Sequence, residues 1–138
     1  SKPAKEFLKY IKRLIEFRKA HEILRMEHPM QLADTKSCGC PDLSYHEEAA
    51  WIAPKFFNRG ALGILYCGRY AGESEDVYLG FNFSDLHKNL AIPKQKGTRK
   101  WYLYMDTAVK SAFLPEPEEL KETSYLLEAQ SVCIIVGK

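Results

Sequence analysis

Two cysteines separated by a single glycine, Cys38 and Cys40, have the spacing that most directly suggests chemistry. Close thiols can bind a metal, but a structural zinc site needs four ligands, usually supplied by two well-separated pairs. Cys67 and Cys133 each lie alone in an apolar run, where a thiol behaves as a small hydrophobic side chain. The four histidines show no paired ligand spacing. We therefore predict loop thiols, no metal and no cofactor; a thiol enzyme would need a low thiol pKa at Cys38 or Cys40.

A histidine followed by two glutamates, at residues 46–48, could provide acid–base chemistry, because a neighbouring carboxylate tunes the pKa of an imidazole. No Ser or Cys nucleophile motif accompanies it. Carboxylates that cleave a glycosidic bond must face each other across a pocket. The aspartates here instead lie near turns or strand ends, where aspartate commonly caps the backbone; they are Asp42, Asp76, Asp85 and Asp106. We predict that this chain contains no catalytic residue.

Aromatic side chains could stack on sugar rings, since an aromatic face fits the apolar C–H side of a pyranose. The candidates cluster in one stretch of the chain and comprise Tyr45, Trp51, Phe56 and Phe57, with His46 beside them. Packing of these rings onto the core of the protein is the competing interpretation. We predict a carbohydrate-binding site at Tyr45, His46 and Trp51, with an α-glucan as the candidate ligand.

The composition is that of an ordinary globular domain. The chain has 138 residues, of which 46% are hydrophobic and 28% are charged. Its net charge of +2 gives no support to nucleic-acid or membrane binding. The cysteines lack the dense, even spacing of a disulfide framework, so we predict a reducing, cytoplasmic environment.

The pattern of apolar residues changes after Pro29. Residues 4–20 show helical periodicity, with Phe7, Ile11, Leu14 and Ile15 on one broad apolar face that must pack against something. After Pro29, short aromatic and β-branched runs alternate with turn residues, which predicts an all-β antiparallel sandwich. The predicted strands are 43–46, 61–69, 77–83, 89–92, 100–106, 124–127 and 131–136, and 116–122 is predicted to be an acidic loop.

Four ordered markers carry a family resemblance. Residues 14–21 (LIEFRKAH), followed by Leu24-Arg25, look like the last barrel helix of α-amylase-type enzymes, although Glu22 stands where proline is usual. Residues 41–46 (PDLSYH) with Ala50-Trp51 are similar to the debranching-type stretch that follows that helix. The strands 77–83 and 101–107, and the closing residues 126–136, resemble the C-terminal β-domain. The chain thus resembles the C-terminal region of bacterial glycogen debranching enzymes, isoamylase- and pullulanase-like members of the α-amylase superfamily.

The resemblance implies a domain organisation and a function. Residues 1–28 would be the last helix of a missing barrel with its linker, and residues 29–138 a C-terminal β-sandwich. In that family, an Asp nucleophile, a Glu acid/base and a second Asp on a (β/α)8 barrel cleave α-1,6 glucosidic linkages with retention. The segments that carry those residues are not present in this chain. The implied role is therefore a non-catalytic domain that stabilises the barrel of its own polypeptide and shapes the substrate cleft.

Other functions remain open at this stage. The chain could be an independent carbohydrate-binding module, or a structural or interaction domain unrelated to sugars. Because the helix has a broad apolar face, we also expect that an isolated chain either folds the helix onto its own sheet or self-associates.

Overall fold

The computed structural model describes residues 1–52, 60–93 and 99–138. Helix α1 spans Lys2–Ala20 and is followed by a short 3-10 helix, Glu22–Arg25; a second 3-10 turn spans Gly68–Ala71. The eight strands are β1 (Leu43–His46), β2 (Ala61–Tyr66), β3 (Asp76–Asn82), β4 (Lys88–Ala91), β5 (Trp101–Asp106), β6 (Phe113–Leu120), β7 (Ser124–Leu127) and β8 (Ser131–Gly137). No helix in the described ranges is both long and apolar enough to cross a membrane.

The strands form two antiparallel sheets, which confirms the predicted β-sandwich preceded by one helix. The larger sheet has the order β1-β2-β3-β8-β5-β6, and the smaller sheet pairs β4 with β7. Consecutive side chains on β3 and β8 point to opposite faces of the larger sheet, as the two-residue period of a strand requires. Each of these faces therefore builds a separate core cluster.

One face of the larger sheet is closed by the β4–β7 sheet. Its core contains side chains from both layers, among them Tyr78, Leu90, Leu127 and Ile135, none of which is exposed. Asn82 ties the two layers together, because its Nδ2 donates to the main-chain oxygens of Leu127 at 3.1 Å and Glu128 at 3.0 Å. We refer to this side as the sealed face.

The opposite face is covered by α1, and we refer to it as the helix face. Ser1 caps the helix by accepting a hydrogen bond from the Ala4 N–H, as its position before Pro3 predicts. Tyr10, Leu14 and Phe17 pack against a cluster that includes Val77, Met105, Phe113, Ile134 and Val136. The helix is thus folded onto the sheet of its own chain, which is the first of the two outcomes expected for it.

A histidine fixes the end of α1 on the sheet. His21 Nε2 lies 2.8 Å from Glu75 Oε1, just before β3, and its Nδ1 lies 3.0 Å from the carbonyl oxygen of Phe17. The ring of His21 also stacks on Phe17, with centroids 4.2 Å apart. The histidine of the 14–21 marker therefore links the helix terminus to the larger sheet.

Two expectations about the strands were wrong. The acidic stretch 116–122 is largely part of β6, an edge strand paired with β5. Pro115 and Pro117 lack an N–H to donate, which an edge strand tolerates because one of its sides has no neighbour. The second error concerns β5. Regular alternation over 100–106 predicts Trp101, Leu103 and Met105 on one face, but a bulge between Leu103 and Met105 turns Met105 onto the helix face.

Candidate functional site

The predicted carbohydrate site lies on a short hairpin that begins with β1. Strand β1 pairs with β2, placing Tyr45 opposite Ile64 and His46 opposite Gly63. The chain then reverses, and the N–H of Ile52 donates to the carbonyl oxygen of Tyr45 at 2.8 Å. The reversal brings Trp51 back beside His46. Two of the three predicted residues, Tyr45 and Trp51, reach the surface, whereas His46 lies underneath.

His46 is completely buried and both of its ring nitrogens are engaged. Its Nδ1 accepts a hydrogen bond from the backbone N–H of Trp51 at 2.9 Å, so its Nε2 carries the proton and donates to Ser44 Oγ at 2.8 Å. Burial lowers the pKa of His46 to about 4, which keeps the ring neutral at pH 7. In this geometry His46 supports the hairpin and positions Trp51.

Trp51 occupies a strained backbone conformation. Its φ is +58°, in the left-handed region that a bulky side chain rarely adopts. The hydrogen bond to His46 and the edge-to-face contact of the two rings, at 4.8 Å between centroids, hold it there. The side chain is nevertheless 45% exposed. Strain that presents a large aromatic ring to solvent is a feature of binding sites.

A shallow pocket of about 370 Å³ lies beside this ring. It is mainly apolar, and its walls are formed by Leu32, Pro41, Leu43, Ser44, Tyr45, Trp51 and Ile52. The pocket therefore brings the exposed Trp51 and the half-buried Tyr45 to one place. Phe56 and Phe57, the other aromatic candidates, lie outside the described residues.

Gly63 explains how the hairpin fits over the core. A Cβ at this position would lie 2.0 Å from Tyr78 Oη. Tyr78 is fully buried and its hydroxyl donates to the carbonyl oxygen of Ala91 at 3.0 Å. Because Gly63 has no side chain, the Tyr78 ring can lie against β2 and place its hydroxyl on the backbone of β4.

The buried aspartates support the backbone. Asp42 accepts hydrogen bonds from the N–H groups of Gln31 at 2.8 Å and Leu32 at 2.9 Å. Asp76 accepts from the Gly68 N–H at 2.8 Å and lies 3.5 Å from Arg99 Nε, and Asp106 accepts from the Tyr125 hydroxyl. Each of these aspartates therefore has at least one carboxylate oxygen engaged at a turn or strand end, as expected of residues that cap the backbone, while Asp76 Oδ2 has the ion pair with Arg99 and no hydrogen bond.

The cysteines are arranged differently from the sequence interpretation. The interpretation of Cys67 as a lone thiol is wrong, because Cys67 Sγ lies 2.9 Å from Cys40 Sγ. Cys40 Sγ is in turn 4.0 Å from Cys38 Sγ. Burial raises the pKa of the Cys40 and Cys67 thiols. Partial burial opposes ionisation of Cys38, but hydrogen bonds with the Cys40 backbone and Tyr70 outweigh it and lower the pKa of the Cys38 thiol.

Helix α1 has an apolar surface that the sheet does not cover. Phe7 is 65% exposed, Leu8 54% and Ile15 49%. Successive helical residues are rotated by about 100°, so these three lie roughly 60–160° around the axis from Tyr10, which faces the sheet. We call these residues the outer face of the helix. A pocket of about 550 Å³ adjoins its N-terminal end, between Phe7, Tyr10 and Val109.

The helix face of the sheet is also incompletely packed. A pocket of about 400 Å³, open to solvent, lies between α1 and the sheet and is lined by Leu14, Phe17, Leu79, Met105 and Ile134, among others. The sequence indicates that a broad part of the helix surface is apolar. It does not indicate which apolar residues face the sheet and which form the outer face, because that depends on how the helix packs on the sheet.

Comparison with known proteins places this geometry in context. No protein-family profile matches the chain. The chain is similar to an isoamylase from Flavobacterium sp, with 28% identity over 148 aligned positions. The alignment covers 94% of this chain and 18% of the isoamylase, so the chain spans less than a fifth of that enzyme. The similarity indicates a relationship to glycoside hydrolases of the debranching type.

Proposed function

We propose that this chain is the C-terminal, non-catalytic domain of a glycoside hydrolase that cleaves the α-1,6 linkages of glycogen or starch. In this proposal, residues 1–28 contribute the last helix of a catalytic barrel that belongs to the same polypeptide, and residues 29–138 are the accessory sandwich. The domain stabilises the barrel and forms part of the rim of its cleft. The similarity to isoamylase over nearly the whole chain supports this assignment.

The outer face of α1 is the observation that carries the proposal. A helix that only covered the sheet would need apolar residues on one stripe, whereas this helix also exposes Phe7 at the border of that stripe and Leu8 and Ile15 on the far side. Burying each of these side chains would contribute about 1.5–3 kcal/mol. A helix with sandwich on one side and barrel on the other accounts for both apolar surfaces.

The carboxylates support a role outside catalysis. Asp42, Asp76 and Asp106 are buried and held by hydrogen bonds that brace turns and strand ends. A glycosidase needs two carboxyl groups that face each other across an accessible pocket. The aromatic pocket at Tyr45 and Trp51 is lined mainly by apolar and aromatic side chains, so its chemistry fits sugar binding rather than bond cleavage.

The loop that contains this pocket would meet the substrate. Residues 36–57 include β1 and this hairpin, with 53–57 outside the described residues, and we propose that they reach the active-site side of the barrel. Trp51 and Tyr45 would then contact a glucan chain near the cleft, with His46 holding Trp51 in place. The reducing cytoplasm remains the proposed location.

An independent carbohydrate-binding module is the second candidate, and the exposed, strained Trp51 is the observation that favours it. Titration of the isolated chain with maltoheptaose distinguishes the two. An accessory domain should bind it weakly, because only one rim of the cleft is present. A module should bind at millimolar concentration or better and lose binding in Trp51→Gly, which removes the ring while suiting the positive φ.

The same preparation tests the non-catalytic assignment. We expect no release of reducing ends from glycogen or pullulan by this chain. Phe83→Ala, which removes an exposed aromatic ring elsewhere on the sandwich, is the matched control for Trp51→Gly. Cleavage of branch linkages by the chain alone would overturn the proposal. Tight maltoheptaose binding that depends on Trp51 and not on Phe83 would replace it with the binding-module function.

A further inference from the structure

Three cysteine thiols from two distant parts of the chain converge in the structure. Cys38 and Cys40 belong to the segment before β1, and Cys67 follows β2. Their three Sγ atoms all lie within 4.8 Å of one another. We propose that Cys38, Cys40 and Cys67 form a binding site for one thiophilic divalent cation of the Zn²⁺ class. This inference is independent of the proposed function.

The sulfur geometry suits a shared cation. Two thiolates bound to one Zn²⁺ at about 2.3 Å in a tetrahedral site are separated by roughly 3.8 Å. The Cys38–Cys40 separation of 4.0 Å is close to that value, and a small rotation of one side chain would bring the 2.9 Å Cys40–Cys67 contact to it. A disulfide needs about 2.05 Å between sulfurs and would use only two of the three thiols.

The backbone around the pair is prepared to hold it. Asp34 accepts hydrogen bonds from the N–H groups of Cys38 and Gly39, both at 3.0 Å. Gly39 has a φ of +96°, a conformation that glycine adopts without strain. This turn directs both thiols of the pair toward Cys67, which is almost completely buried. Cys38 is more exposed than its two partners and gives the cation a path from solvent.

The fourth position would be on the solvent side, next to Cys38. A water molecule could occupy it and complete four-coordination, with Asp34 Oδ1, 3.7 Å from Cys38 Sγ, nearby. Positive side chains nearby would balance the extra negative charge of three thiolates around a divalent ion. Arg69 donates to the carbonyl oxygen of Cys38 at 3.1 Å, and the ammonium group of Lys36 lies over the Tyr70 ring.

The consequence of binding would be structural. Residues 26–42 contain no helix or strand, and the cation would tie this segment to the end of β2. Binding forms three metal–sulfur bonds, and the three thiol protons pass to the buffer. Because the folded protein alone assembles the three ligands, the cation should raise thermal stability, by an amount that grows with the logarithm of the ratio of free cation to its Kd.

The test uses the whole chain, reduced and freed of metal, and titrated with Zn²⁺ against a chromophoric chelator. We expect one equivalent to bind. Co²⁺ in place of Zn²⁺ should give the thiolate-to-metal charge-transfer absorption of sulfur ligation. Cys38→Ser, at the least buried of the three positions, should weaken Zn²⁺ binding by at least about 10-fold, as should Cys67→Ser.

Cys133→Ala is the matched control, because Cys133 is buried in the core away from the cluster. It should retain one equivalent of Zn²⁺, and circular dichroism should verify that each variant is folded. The proposal is overturned if the reduced wild-type chain binds no Zn²⁺ at micromolar concentration. It is also overturned if binding survives in both Cys38→Ser and Cys67→Ser, or if a Cys40–Cys67 disulfide persists in glutathione buffer and no metal binds.

Discussion

The two faces of the larger sheet are built from the same strands but completed in different ways. The sealed face is closed by the β4–β7 sheet, and its central side chains are inaccessible to solvent. The helix face has an open pocket of about 400 Å³ beside α1, and the helix itself exposes apolar residues on its far side. The sealed face is thus a closed core, whereas the helix face leaves apolar surface accessible to solvent.

Adjacent residues on β8 allow the two faces to be compared directly. Ile135 points into the sealed face and Ile134 into the helix face, where it lines the open pocket. We expect Ile135→Ala to lower the free energy of unfolding by about 3–5 kcal/mol, because it leaves a void in a tightly packed core. Ile134→Ala should cost about 2 kcal/mol, since fewer contacts surround it. Urea unfolding of both variants measures the difference; equal losses would remove the distinction between the faces.

A buried histidine makes the sealed side sensitive to acid. The pKa of His46 falls from 6.5 to about 4 on folding because the ring is desolvated. Between these values the unfolded chain binds a proton that the native protein does not, so stability decreases as the pH falls from 6.5 to 4. The loss attributable to His46 is about 3 kcal/mol.

The variant His46→Gln should reduce that loss, because Gln cannot take up a proton. Urea unfolding at pH 7 and pH 4 measures it for wild type, His46→Gln and the control His28→Gln, which alters an exposed histidine. The pH-dependent difference should shrink in His46→Gln alone. An unchanged difference would mean that folding does not lower the pKa of His46.

The link between the two sheets depends on one side-chain amide. Asn82→Ala would leave the main-chain oxygens of Leu127 and Glu128 without their donor, which we expect to cost about 1–3 kcal/mol. Asn89→Ala removes an exposed amide from β4 and should change stability by less than about 0.5 kcal/mol. Thermal unfolding of the two variants provides the comparison. Similar melting temperatures for both would show that Asn82 does not hold the layers together.

The smallest effect in the isolated chain is expected on the outer face of the helix. Phe7→Ser, Leu8→Ser and Ile15→Ser remove side chains that are mostly exposed, so each should change the free energy of unfolding by about 0.5 kcal/mol or less. Leu14→Ala, on the sheet-facing stripe, should cost more. Chemical denaturation of the four variants checks this order. A large loss from the outer-face variants would mean that those residues already pack against the protein.

The regular part of the fold follows from patterns that are local in the chain. The helix cap at Ser1, the alternation along β3 and the turn residues between strands are read from neighbours in sequence. Strand β6 was missed because its two prolines and three glutamates have low strand propensity, and only its pairing with β5 makes it a strand. The bulge that turns Met105 likewise depends on tertiary pairing.

The aromatic site and the cysteine cluster were less predictable, because they too depend on pairing between distant parts of the chain. Tyr45 and Trp51 could be identified as aromatic candidates, but the burial of His46 depends on strands that lie far away in sequence. The cysteine cluster joins residues 27 positions apart through the pairing of β1 with β2. Pairings of this range have no signature in a single sequence, so chemistry assembled across strands is seen only after folding.

The accessory-domain assignment is tested most directly by measuring whether this chain binds an isoamylase that lacks the matching segment. This chain should bind to a Flavobacterium isoamylase from which the matching segment has been deleted, with the enzyme's own segment as the positive control. Isothermal titration calorimetry should show binding by wild type and its loss in the triple variant Phe7→Ser/Leu8→Ser/Ile15→Ser. Leu86→Ser, at an exposed apolar residue distant in sequence from the helix, should bind as wild type does. Failure of the wild-type chain to bind, or undiminished binding by the triple variant, would contradict the account.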